Sequence, residues 1–320
     1  MERQETEKLI SAIVSTPGDR STNIWFSEGE LRTLWRILIF FAFFVLVEFA
    51  GSAALYVFPI PQNELTFEIL FLCGSLLATL LTLRLIDGKT LTSIGLPVRM
   101  ISLRQFVFGA STSIVGIGAL TGIELVFGFA DVRLFQQSIG NTVGTLSYGL
   151  LLFLFVAFAE EILARGYCFQ SLIHGTNVRT AVVLTSLFFA LMHYFNPNIS
   201  LLPAFNIFIA GVWFAVAFLR TGQLWFSIGL HFGWNYAEGT LIGFPVSGTW
   251  NQSIFRSIET GPDWITGGTF GPEGGVLVTL MVGVGIAMLW SNPYLRMIGV
   301  AAESQRKFNS ISNEKVLDKI

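Results

Sequence analysis

Residues 146–170 read LSYGLLLFLFVAFAEEILARGYCFQ, and their reading decides the fold. The run is long and apolar enough to cross a hydrocarbon core of about 30 Å, which takes about 20 helical residues. Yet Glu160, Glu161 and Arg165 stand inside it, where ionisable groups cost several kcal/mol and are functional candidates by default. Seven further runs of the same kind surround it: Leu34–Phe58, Leu65–Ile86, Gln105–Phe129, Val178–Phe195, Leu201–Leu219, Leu224–Phe244 and Gly274–Trp290. The expected architecture is all-α, a polytopic membrane bundle of about eight transmembrane helices. Residues 1–33 and 293–320 would be tails, and 34–292 the bundle.

Composition agrees with a lipid-facing surface. Hydrophobic residues make up 52% of the chain and charged residues only 12%, with mean hydropathy +0.65. An ordinary soluble domain carries about a quarter charged residues. Phe and Gly are heavily used, as fits rings against lipid and close helix crossings. A net charge of −2 gives no reason to expect a nucleic-acid partner. Cys73 and Cys168 both fall in apolar runs and read as small core residues rather than a disulfide or zinc pair. The first 33 residues lack a signal-peptide pattern, so the first helix is expected to insert as its own signal. Leu9, Ile10, Ile13 and Val14 fit a short interfacial helix.

Charge gives an independent check on the count. Lys89, Arg99, Arg104, Arg179, Arg220, Arg296, Arg306, Lys307, Lys315 and Lys319 fall on segments or helix ends that eight spans place on one side. The other side holds only Arg133 and Arg256. By the positive-inside rule both termini are cytoplasmic. The long Gly/Ser/Thr-rich connection 245–273 then lies outside, as a lid or as a plain link.

Three clusters place polar groups inside the runs: Glu160-Glu161 with Arg165, His193 in FFALMHYF, and His231 with Asn235 in LHFGWNYAEG. At 100° per residue Glu161 and Arg165 share a helix face and can pair. Glu160 points elsewhere. His231 and Asn235 also share a face, with Glu238 one turn further along. Counted from the cytoplasmic ends, Glu160, His193, His231 and Asn235 all lie roughly 15–22 Å deep at 1.5 Å per residue.

A carboxylate and an imidazole at one level can hold and deprotonate a water. A second imidazole with an amide can donate to a developing oxyanion. Glu160, His193 and His231 could equally ligate one divalent metal such as zinc, although no HExxH is present. More modest roles stand beside these. Glu161–Arg165 reads as a structural pair, Asn235 as a helix bridge, and Phe189 as a pocket wall. Glu48, Glu68, Glu124, Glu238 and Asn206 receive no role.

At these positions the sequence resembles the CPBP family, the type II CAAX prenyl endopeptidases and the Abi bacteriocin-processing or immunity proteins. The residues that carry the resemblance are Glu160-Glu161-x-x-x-Arg165, Phe189-x-x-x-His193 and His231-x-x-x-Asn235, within about 145–240. A weaker echo lies at 84–96. The resemblance implies an intramembrane endopeptidase, named in the family as a metalloprotease. Glu160 and His193 would activate water, His231 and Asn235 would stabilise the oxyanion, and Glu161, Arg165 and Phe189 would support them. The resemblance supplies no substrate; the leading expectation is a membrane-associated peptide, a CAAX terminus or a leader segment, cut in a bacterial inner membrane. The alternative of another class is a non-catalytic scaffold or immunity protein of the same fold. A proton-coupled transporter is a third, without the paired broken helices that class shows.

Overall fold

The architecture comes from a computed structural model of the chain, in which residues 26–27 and 30–292 are described. The interfacial helix expected at Leu9–Val14, most of the N-terminal tail and the tail from residue 293 lie outside the described residues.

Unbroken apolar sequence makes the helices, and polar or glycine-bearing breaks separate them. In chain order they are α1 (Thr33–Val57), α2 (Glu64–Leu85), α3 (Met100–Phe127), α4 (Ile139–Glu161), α5 (Tyr167–Gly175), α6 (Val178–Met192), α7 (Leu201–Thr221), α8 (Leu224–Asn235), α9 (Asp263–Thr266) and α10 (Val276–Ser291). Side-chain caps start several of them. Asn63 accepts from Thr66 N–H, Ser138 from Asn141 N–H and Asn177 from Thr180 N–H, each satisfying an otherwise orphaned amide.

Among the described residues five helical segments are long and apolar enough to cross a membrane: 33–57, 64–85, 100–127, the composite 139–175, and 201–221. The helices 178–192 and 276–291 are apolar but shorter. The chain is thus a mostly helical integral membrane protein, and every one of the eight expected runs is helical.

Four expectations need correction. The fold is not purely helical. Phe26–Ser27 pairs with Glu30–Leu31 (β1, β2), and Ala130–Leu134 pairs antiparallel with Phe255–Glu259 (β3, β4). The fourth run is not one α-helix, since a π turn at Ile162–Gly166 separates α4 from α5. The fifth helix stops at Met192, so His193 caps its C-terminus instead of lying within it. In the seventh expected run the α-helix (α8) stops at Asn235 and continues as a π turn, Tyr236–Ile242.

The closest crossing is between α3 and α8. A Cβ on Gly229 would collide with the Phe106 carbonyl, and one on Gly233 with the Ala110 carbonyl. Across the seam, a Cβ on Gly109 would meet the backbone at Phe226 and Leu230. Gly229-x-x-x-Gly233 is a small-residue face of the kind that lets membrane helices touch backbone to backbone. His231 sits between these two glycines, so this seam sets where its ring points.

Candidate functional site

Glu160 occupies the penultimate position of α4, where the apolar helix delivers it into a cavity of about 280 Å³. Its Oε2 lies 4.0 Å from His193 Nε2 and 3.9 Å from His231 Nε2. That oxygen is buried and has no hydrogen-bond partner. Three helices thus bring one carboxylate and two imidazoles together, and Asn235 lines the same cavity.

Each of these groups is held from behind. His193 Nδ1 lies 2.8 Å from the Phe189 carbonyl. With a proton on Nδ1 donated to that carbonyl, the Nε2 lone pair is left facing Glu160. The Phe189 carbonyl is one of the last in α6, and such carbonyls lack an intrahelical partner, so the contact also caps the helix.

His231 stands between the adjacent glutamates. Its Nδ1 is 3.4 Å from Glu161 Oε1, while its Nε2 faces Glu160. The Phe214 ring stacks on it at 4.9 Å with planes 13° apart.

Glu161 and Arg165 are both fully buried, and Arg165 Nη1 donates to Glu161 Oε1 at 2.8 Å. Nη2 donates to the Gly211 carbonyl at 3.0 Å, across to α7. The guanidinium lies 4.3 Å over the Phe189 ring and 5.5 Å from that of Phe214. Charges out of water need such partners, since an unpaired one costs several kcal/mol. Phe189 therefore lines the cavity, supports Arg165 with its ring and orients His193 with its carbonyl.

Glu238 does not share the cavity with His231 and Asn235, contrary to the helical-wheel expectation. The π turn that follows Asn235 changes the angle per residue and carries it off that face. It is fully buried without a hydrogen-bond partner, as is Glu124 of α3.

Sequence reasoning assigned no role to several cavity residues. Glu64 and Glu68 of α2, Asn206 of α7, and Ser247 and Glu273 of the 245–273 connection all line it. Glu68 carried a signal, as an ionisable group inside an apolar run one turn from Glu64. Asn206 donates to the Glu273 and Gly275 carbonyls at 2.8 Å each and accepts from the Thr279 hydroxyl. It anchors the connection to the bundle. Glu273 Oε2 in turn accepts from Ser247 N–H at 2.7 Å.

The donor spacing tests the metal reading. Tetrahedral zinc with bonds of about 2.0–2.1 Å sets its ligand atoms about 3.4 Å apart. Glu160 Oε2 is 3.9–4.0 Å from both imidazole nitrogens. A water about 2.8 Å from each partner spans that distance. Among the described residues no three His, Cys, Asp or Glu side chains form a metal-holding group. At these separations a bridging water fits between Glu160 and the two imidazoles.

Residues 142–237 match the family model for Rce1-like proteins, described as type II CAAX prenyl endopeptidase Rce1-like. Over those residues the chain is similar to Rce1-like proteins. The matched span holds Glu160, Glu161, Arg165, Phe189, His193, His231 and Asn235, while α1, α2, α3 and α10 lie outside it. No curated protein and no solved structure gave a significant match. The family is one of membrane proteases acting generally on CAAX-type substrates, and the apolar helices fit a membrane-associated substrate.

Proposed function

We propose that this protein is an intramembrane endopeptidase in which Glu160 and His193 activate a water and His231 and Asn235 receive the oxyanion. The observation that carries this reading is the unpartnered Glu160 Oε2, about 4 Å from two imidazole nitrogens in a cavity within an apolar bundle. The membrane-length apolar helices fit a membrane enzyme, and a water held between Glu160 and the two imidazoles would relieve the cost of the unsatisfied oxygen.

The chemistry follows from the contacts. A water between Glu160 Oε2 and His193 Nε2 gives up one proton to this pair as its oxygen attacks the scissile carbonyl. The C–O bond forms and the carbonyl electron pair moves onto oxygen. A proton on His231 Nε2 and the Asn235 amide N–H groups stabilise that oxyanion. On collapse the C–N bond breaks, and the proton held by the Glu160–His193 pair passes to the leaving amine. No step needs a metal.

We place the chain in a bacterial inner membrane with eight crossings and both termini cytoplasmic. Support comes from the eight helical runs and the one-sided Lys/Arg. The substrate is a membrane-associated peptide, either a CAAX-type terminus or a leader segment. The deciding experiment is cleavage of a membrane-peptide library by purified wild type and Glu160→Gln. Loss in the variant, with its melting temperature kept, supports the reading; equal cleavage by both overturns it.

A further inference from the structure

The two ends of the bundle differ in a way that bears on which peptides can reach Glu160. One end is identified by contacts among helix termini and short links. Arg36 pairs with Asp87, and Gln170 Nε2 donates to the Ile94 carbonyl at 2.9 Å. Trp225 Nε1 donates to the Pro97 carbonyl at 2.8 Å, and Arg220 Nη2 to that of Asn292 at 2.7 Å. The opposite end holds the β3–β4 pair and the 245–273 connection, tied to the bundle through Asn196, Asn206 and Gln137.

Among the described residues the first end carries Arg32, Arg36, Arg84, Lys89, Arg99, Arg104, Arg179 and Arg220. The second carries Arg133 and Arg256. Such asymmetry marks the first end as cytoplasmic.

The cavity runs from the second end down to the middle of the bundle, where His231 and Phe214 line its floor. From α2 it takes Glu64, Glu68 and Phe71, all in the first turns after the non-cytoplasmic link. From α10 it takes Val278 and Val282, again the first turns. Of all its lining residues only Glu64 and Thr249 are exposed, and both sit at that end. Toward the cytoplasm the chain closes. Ile162, Leu163, Ala164 and Arg165, which follow the glutamate pair, are each at most 2% exposed, and Phe169 is fully buried.

We infer that the site receives its peptide from the non-cytoplasmic face, between the start of α2 and the 245–273 connection. Its substrates are therefore segments outside the cytoplasm, such as translocated leaders or the outer flank of a membrane anchor. A cytoplasmic lipidated terminus would meet the packed floor. This rests on the peptidase reading for its chemistry but not for its geometry.

The test uses single cysteines in the full chain with Cys73→Ser and Cys168→Ser as background. Thr249→Cys and Glu64→Cys mark the mouth from two separate elements, and Lys89→Cys marks the other end. Each is treated with a membrane-impermeant maleimide in right-side-out and in inverted vesicles. The expected result is labelling of both mouth cysteines in right-side-out vesicles, and of Lys89→Cys only in inverted ones. Mouth labelling confined to inverted vesicles overturns the inference, and so does protection of both mouth cysteines in both orientations. Labelling needs no turnover, so a protein that cuts nothing but labels as expected would sink the peptidase reading and leave the orientation standing.

Discussion

The Phe189 carbonyl and His193 Nδ1 lie 2.8 Å apart, one helical turn from each other at the very end of α6. This contact fixes which imidazole nitrogen is free to accept a proton. Replacing His193 with Gln keeps a polar side chain but removes the basic nitrogen. We expect the cleavage rate to fall by about 10²–10⁴-fold, the usual worth of a general base. Thermal melting in detergent should change little. Single-turnover cleavage beside a melt of the same preparation checks both halves.

Arg165 is a different case, because its charge is fully buried with Glu161. Arg165→Met leaves the Glu161 carboxylate uncompensated, and such breaks cost about 3–5 kcal/mol. We expect a large drop in melting temperature, partly restored in the double variant with Glu161→Gln. A double variant no more stable than Arg165→Met would show that the pair does not act as a unit.

The α3–α8 seam offers a test of position without touching chemistry. Gly229→Ala and Gly233→Ala each force a methyl into an opposing backbone carbonyl. Displacing α8 moves His231, and a misplacement of about 1 Å in a catalytic group can cost about 10²-fold in rate. Both variants should lose activity and stability together. Gly283→Ala, whose Cβ meets nothing, should lose neither.

Outside the spans, Glu259 on β4 has its carboxyl pushed from 4.5 up to about 9, first by burial and then by the charge of Glu124. A carboxyl raised in the folded state holds its proton more tightly when folded, so the fold is most stable at low pH. Stability is then lost as pH rises from about 4.5 through about 9. Glu259→Gln should flatten this slope. Melting temperatures of both proteins between pH 5 and 9 decide it, and parallel curves would refute the assignment.

If the Glu160 carboxylate and His193 activate water without a metal, as proposed, chelators should leave activity intact. Cleavage measured with and without o-phenanthroline, after dialysis against EDTA, reads this directly. Loss of activity restored by added zinc would reverse it.

The helical runs were legible because a 20-residue apolar stretch has few alternatives, and all eight are helical, with ends displaced by up to seven residues. The grouping of Glu160, His193 and His231 was legible from depth alone. Less visible were the π turns at 162–166 and 236–242, since one extra residue per turn leaves no trace in hydropathy. That is why Glu238 was placed on the wrong face. The β3–β4 pair was hidden too, because its partners are more than a hundred residues apart and neither strand is strongly apolar. Glu68 was visible as an expensive residue but had no partner until the fold supplied the shared cavity.

One further consequence belongs to α6, whose 15 residues span only about 22 Å at 1.5 Å each. That is well short of the roughly 30 Å hydrocarbon slab, and a short helix is accommodated by local thinning of the bilayer. The deficit falls at the His193 end, where the polar turn Asn196–Ser200 follows. Thinning at that end would bring solvent closer to Glu160. A peptidase surrounded by lipid would have a second reactant to secure besides its peptide, and the short helix is how the proposed one would be kept wet.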